Sequence, residues 1–167
     1  MSGAIVRDAR PEDRAAIEAV TLSAYQQYAT ALPAVWDAYR RNIVATLADF
    51  APADQLVAEE DGRIVGAVLL YPGAAMAAGA PARQWPEVRL LAVAPDARGR
   101  GIAAELMQAC AARARRSGAS ALALHTTDVM TAAIRLYERL GFERAPDLDF
   151  EPAPGIVAKG FRLALGG

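Results

Sequence analysis

The chain has 167 residues, of which 54% are hydrophobic and 22% charged, with one cysteine and a formal net charge of −1 at pH 7. That length and apolar content build a core without disulfides or a structural metal, and the near-neutral balance offers no whole-molecule attraction to nucleic acid or to an anionic membrane. The opening MSGAIVRDARPEDR has no apolar stretch of the secretory kind, so the expected location is cytoplasmic, and Cys110, inside a helical pattern, reads as core.

Taken in chain order, Ala4–Asp8 is a short strand. Pro11, with Glu12 and Asp13 beside the positive helix end, starts a helix to about Leu22. Ser23 to Thr30 continue it irregularly, and a second helix spans Pro33 to Leu47. Tyr25, Tyr28, Trp36 and Tyr39 fall at helical spacings that suit a core or a pocket wall, and core is the preferred reading. Gln55–Glu60 and Arg63–Tyr71 flank Asp61-Gly62, a strong hairpin signal. From Ile64 to Ala82 no charge occurs, a length sufficient to cross a bilayer. Pro72, Gly73, Gly79 and Pro81 interrupt that run, so it is read as a buried strand and a loop from Pro72 to Gln84, with no transmembrane segment.

Glu87–Val93 is a strand, Gly101–Ser117 a helix, Ala119–Thr126 a strand, and Thr131–Leu140 a helix stopped by Gly141. Strand, helix and strand in that order need a crossover, which makes the two strands parallel. Phe142–Phe150 and Val157–Leu165 are expected to close the fold as a hairpin around Pro152–Gly155. The expected architecture is α/β of the α+β kind: a mixed, mostly antiparallel twisted sheet, one parallel strand pair and helices on both faces, all in a single domain of residues 1–167.

Between the strand VRLLAV and the helix lies APDARGRGIAAELM, residues 94–107. The first turn of a helix carries amides without internal partners and partial positive charge, which suits phosphate oxygens. Gly99 and Gly101 remove side chains that would hold a diphosphate off the backbone, while Arg98 and Arg100 add cationic reach. Gly99 to Ala104 also satisfy a dinucleotide fingerprint, G-x-G-x-x-A. The five-residue approach Ala94–Arg98, the late position of the motif and the lack of repeated parallel units weigh against that use. The only lysine, Lys159, lies far from any glycine-rich loop, which removes a Walker-type phosphate site. No His/Cys/carboxylate cluster has the spacing of metal ligands.

Arg98-Gly99-Arg100-Gly101-Ile102-Ala103 resembles the diphosphate loop of the GNAT superfamily of N-acetyltransferases, Q/R-x-x-G-x-G/A. The resemblance extends through Leu90–Pro95 before the loop and Ala132–Phe142 after it, and covers residues 87 to 142. It implies acetyl-coenzyme A as cosubstrate. Its diphosphate would lie on the amides of Gly99 to Ala103, and its pantetheine arm beside Leu91, Ala92 and Val93, where a backbone N–H would serve the oxyanion. It further implies that Tyr137 is the acid protonating the leaving thiolate and that Glu87 is the base for the amine, with water chains as the alternative base. Histidine 125, at a strand end, is read as structural rather than catalytic. Met130 departs from the asparagine often found there in the family; Asp128 or Thr131 is expected to cap the following helix instead.

The implied partners are acetyl-coenzyme A and an amine on a small molecule or a protein, with a homodimer admitted and neither nucleic acid nor membrane expected. A non-catalytic protein that binds coenzyme A as a sensor or scaffold remains the alternative, and an NAD(P)-binding protein a weaker one.

Overall fold

The computed structural model of the protein describes residues 3–73 and 85–166. In chain order the elements are β1 (Ile5–Asp8), a 3-10 turn (Pro11–Asp13), α1 (Arg14–Tyr25), a 3-10 turn (Gln26–Tyr28), α2 (Trp36–Ala48), β2 (Asp54–Glu60), β3 (Arg63–Tyr71) and β4 (Glu87–Val93). They continue with α3 (Ile102–Arg116), β5 (Ala121–Thr126), α4 (Thr131–Arg139), β6 (Glu143–Arg144), β7 (Phe150–Ala153) and β8 (Ile156–Ala164). The strand order is β1-β2-β3-β4-β5-β8-β6, with β7 also on β8. The fold is thus the mixed, largely antiparallel one expected, and β4 with β5 is its parallel pair. The loop expected over Pro72–Gln84 lies, from residue 74 onward, outside the described residues.

The chain divides into two compact units, Met1–Leu69 with Leu90–Ala109, and Leu70–Arg89 with Cys110–Gly167. In the first, β1 pairs antiparallel with β2 from Ile5↔Glu59 to Asp8↔Leu56. The predicted start at Pro11 is a 3-10 turn before α1, and the Asp13 carboxylate accepts the Arg10 amide at 2.8 Å, holding that entry closed. Ile17, Val20, Thr21 and Ala24, one helical face, are the buried residues of α1, as Ile43 and Leu47 are of α2. Arg7 joins this entry to β2, donating to Asp13 at 2.8 and 3.1 Å and to Glu59 at 3.0 Å. Bonded foremost to Arg7, the Asp13 carboxyl is held below the usual carboxylate range. No helix among the described residues is long and apolar enough to cross a membrane, and the charge-free run begins as β3, buried from Val65 to Tyr71.

The aromatic residues of α1, of the 3-10 turn after it and of α2 correct the core expectation. Tyr25, Tyr28, Trp36 and Tyr39 are all half-buried and rest on one another, Trp36 stacked on Tyr39 at 6.1 Å and Tyr25 edge-on to Tyr28 at 5.8 Å. Trp36 and Tyr39 do continue the stripe of Ile43 and Leu47, but burial fades toward its N-terminal end, where the rings cover each other.

In the second unit β5 is central. It runs parallel to β4 through Glu87↔Ala123 and Val88↔Leu124, and antiparallel to β8 from Ala121↔Ala164 to Thr126↔Lys159. Cys110 is fully buried, as its helical position suggested.

Two expectations fail here. Residues 142–150 do not form one strand: β6 is only Glu143–Arg144, a 3-10 turn follows at Pro146–Leu148, and β7 starts at Phe150. Pro146 has no amide to give a ladder, and the turn passes over Gly160 of β8. A Cβ at Gly160 would overlap Leu148 Cβ and stand 2.8 Å from the Ala145 carbonyl oxygen, so only glycine admits the crossing. Asp149 secures it, accepting the Gly160 amide at 2.7 Å while pairing with Arg144 at 2.8 Å. The start of α4 also differs, because Met130 occupies the N-cap without a side-chain cap bond, and Asp128 turns to Lys159 at 2.6 Å instead.

Candidate active site

The glycine-rich loop belongs to the first unit. Arg98, Gly99, Arg100 and Gly101 are all exposed. Gly99 has φ +78° and Gly101 φ +82°, the left-handed region that glycine enters without penalty, and a Cβ built on either meets nothing within 4 Å. Glu105 donates to the Gly101 carbonyl at 3.0 Å, so Ile102, Ala103 and Ala104 are the first-turn residues whose amides have no intrahelical acceptor. Ile102 itself anchors the turn, with its side chain 1% exposed. The loop therefore presents main-chain donors at the positive end of a 15-residue helix, with open space before them.

The two arginines are less free than the sequence implied. Arg98 donates to the Ala24 carbonyl at 3.1 Å, which keeps its charge in place at the end of α1. Arg100 pairs with Glu60 of β2 at 2.8 Å, offsetting its charge. Burial pushes the Tyr28 phenol upward, with Arg98 opposing. Ahead of the loop, Ala92 is buried, Leu91 and Val93 are half-buried, and the Ala94 amide is taken by the Val65 carbonyl at 2.8 Å. Leu90 sits at φ +53°, which a leucine adopts only at a cost of about 1 kcal/mol or more, and it follows the parallel pairs at Glu87 and Val88 by two residues.

The second constellation lies in the other unit. Residues directly opposite across a ladder share a face, and so do residues two apart on a strand. Glu87 lies opposite Ala123, so Glu87 and His125 stand diagonally on one face, with Gly160 opposite His125. Nδ1 of His125 meets Oε1 of Glu87, and Nε2 contacts the Leu148 carbonyl oxygen at 2.7 Å. Phe150 lies edge-on to the imidazole at 5.0 Å. Only 4% of the Glu87 side chain and 19% of that of His125 is exposed. Glu87 is therefore no exposed strand-start carboxylate. Sequence reasoning set His125 apart from it, and no local pattern joins residues 38 positions apart; only the register of β4 on β5 does so.

Tyr137 lies on α4, 7% exposed, its ring 5.9 Å from that of Phe142, whose amide donates to the Tyr137 carbonyl at 2.9 Å. The turn that ends α4 at Gly141 thus fixes the position of the tyrosine.

Residues 16–142 match the model of the Acetyltransferase (GNAT) family. The chain belongs to that family. A mycothiol acetyltransferase from Cellulomonas flavigena is 36% identical over 118 residues, 68% of this chain but 34% of the relative, so the chain spans about a third of that protein's length. Among solved GNAT structures, a Brucella melitensis acetyltransferase in complex with acetyl-CoA superposes with TM-score 0.64 and 25% identity, covering 98% of this chain and 89% of that one. A Corynebacterium glutamicum protein named histone acetyltransferase HPA2 and related acetyltransferase gives TM-score 0.72 at 23% identity, covering 99% and 98%, and shares the GNAT fold.

Proposed function

We propose that residues 1–167 act as one N-acetyltransferase domain, moving an acetyl group from acetyl-coenzyme A to an amine by direct attack within a ternary complex. The observation that carries this reading is the exposed turn at Gly99 and Gly101, open in front of the first-turn amides of α3. A cradle built of glycine and backbone donors fits a diphosphate, and the Brucella relative of the same fold holds acetyl-coenzyme A. When bound, acetyl-coenzyme A supplies a thioester carbonyl for the amine and a thiolate to leave.

The chain's own groups then divide the work. The amides of Gly99 to Ala103 hold the diphosphate, with Arg98 as the nearby cation and Arg100 balanced by Glu60. The main chain of Leu91, Ala92 and Val93, beyond the bend at Leu90, pairs with the pantetheine arm, and an amide there serves the oxyanion. Glu87 takes the proton of the ammonium, a group whose ordinary pKa of about 10 keeps it protonated at neutral pH. Tyr137 gives a proton to the departing thiolate.

Acetyl-coenzyme A should raise the melting temperature where NAD and NADP do not, and a panel of amines should give thiol release with at least one acceptor. Stabilisation without release from any amine would mean a coenzyme sensor. Stabilisation by NAD alone would remove the reading entirely. Tyr137→Phe should lower kcat by about 10²–10⁴ with coenzyme affinity near wild type, and an unchanged rate across the pH range would take the acid role from Tyr137.

A further inference from the structure

The imidazole of His125 meets the Glu87 carboxyl and the Leu148 carbonyl, two groups of different chemistry. The Leu148 carbonyl oxygen can only accept, so Nε2 carries a hydrogen and donates it. That leaves Nδ1 facing Oε1 of Glu87. Were the ring neutral and the carboxyl ionised, two lone pairs would confront each other in a site where Glu87 is 4% exposed. A proton must lie between them, on Nδ1 as imidazolium with carboxylate, or on Oε1 as imidazole with carboxylic acid. Either arrangement gives the pair zero net charge, the least costly condition for a buried couple; losing that proton leaves a buried −1, gaining another a +1.

We propose that His125 is a positioning residue for Glu87, clamping its carboxyl through one shared proton and tying it to the Leu148 carbonyl. The inference rests on the reading of Glu87 as the base and deepens it: with the shared proton on Nδ1 the carboxylate can take the ammonium proton, so the pair, not the lone carboxyl, is the proton-binding unit.

Neighbouring charges are largely spoken for. Asp149, held below the usual carboxylate range foremost by Arg144, senses His125 as a weaker influence. Arg162, opposite Ala123 on the same face, reaches Asp147 at 3.5 Å and lies over the Trp85 ring at 4.8 Å. Lys159 is bound to Asp128. Arg89, two residues along β4 from Glu87, lies over the Tyr71 ring at 6.0 Å, and Glu151 is exposed. Gly160 is the device that makes the clamp possible, because the turn carrying Leu148 crosses β8 where it has no side chain.

His125 is the chain's only histidine, so a spectrum of protein labelled with ¹⁵N-histidine contains one imidazole. In the wild type Nε2 should stay protonated and Nδ1 strongly hydrogen-bonded from about pH 5 to 9, without the titration near 6.5 of an ordinary ring. Glu87→Gln should leave a neutral Nε2–H imidazole whose Nδ1 lacks the shared proton over the same range. If instead both nitrogens exchange and titrate as in a free imidazole, unchanged by Glu87→Gln, the shared proton is refuted, whether or not the protein transfers acetyl groups. His125→Gln keeps a neutral donor but removes the cationic partner, so the buried carboxyl should hold its proton to higher pH. The acid limb of kcat/KM should then move upward by about one unit or more. An acid limb that stays in place would overturn the positioning role, since a merely structural histidine would lower the rate without moving the profile. Failure of every amine to release thiol would sink the transferase reading, and the ring-nitrogen shifts would still decide the clamp.

Discussion

The glycine-rich loop and the Glu87–His125 pair solve opposite problems. At the loop every residue from Arg98 to Gly101 is exposed, the arginines are tied to Ala24 and Glu60, and the backbone is what remains for a ligand. At the pair both side chains are largely buried and the chemistry lies in a proton held between them. A surface cradle for an anion can rest on amides and a helix dipole, which cost nothing to keep in water. A proton acceptor inside a sheet needs a partner, because an isolated buried charge is expensive.

The largest break in this comparison should come at the loop. Gly101→Glu places a carboxylate in the open space before the α3 amides, at a φ of +82° that a non-glycine residue adopts at about 1–2 kcal/mol. Acetyl-coenzyme A affinity should fall at least about 100-fold by calorimetry, while the melting temperature drops only modestly. Unchanged affinity would take the loop out of the site.

Gly160→Ala attacks the pair from outside it. Its methyl group would overlap Leu148 and crowd Ala145, so the crossing turn must move. Overpacking of this kind costs about 1–3 kcal/mol, read from urea unfolding. The contact from Nε2 to Leu148 should loosen with it, and the imidazole spectrum should become that of a more ordinary ring. A fully stable Gly160→Ala protein with the wild-type spectrum would show that the close crossing does not hold the histidine.

The two regions also differ in how far the sequence revealed them. Gly99 and Gly101 could be found because a left-handed turn at a helix mouth leaves glycines in fixed places, and the alternating and helical periodicities carried the strands, the helices and the parallel pair. The Glu87–His125 contact left no such trace. It depends on which residue of β4 stands opposite Ala123, a register that no local pattern encodes, and on a turn at Pro146–Leu148 that a strand expectation over 142–150 had hidden. The pairing of Arg100 with Glu60 was hidden for a similar reason, since its partner lies 40 residues away on β2. Side chains that pair across the fold are where periodicity stops informing.

Asp149→Asn tests the support of the pair more gently. The variant keeps an oxygen for the Gly160 amide and removes the charge that pairs with Arg144, whose bond is the main reason the carboxyl titrates below its ordinary value of about 3.9. A depressed folded-state pKa contributes stability above the unfolded value and loses it as pH falls through the folded one. Wild type should therefore exceed the variant by about 1 kcal/mol at pH 7, discounted for a side chain 26% exposed, and the gap should close below about pH 4. A gap that does not narrow as the pH is lowered from 4 would assign the effect to packing.

Glu60→Gln should give the smallest effect and the most discriminating sign. Arg100 is 43% exposed and Glu60 19% exposed, so their 2.8 Å pair contributes little to stability, and its loss should cost under about 1 kcal/mol. If Arg100 faces the diphosphate, releasing it from Glu60 adds a cation to the cradle. Affinity for acetyl-coenzyme A should then rise about two- to five-fold, with a steeper loss as salt is added. If affinity stays the same while Gly101→Glu abolishes it, the cradle holds its ligand by amides, and Arg100 serves only to brace the loop against β2. Weaker binding would mean that the pair itself shapes the turn, and that the backbone donors depend on a side-chain contact after all.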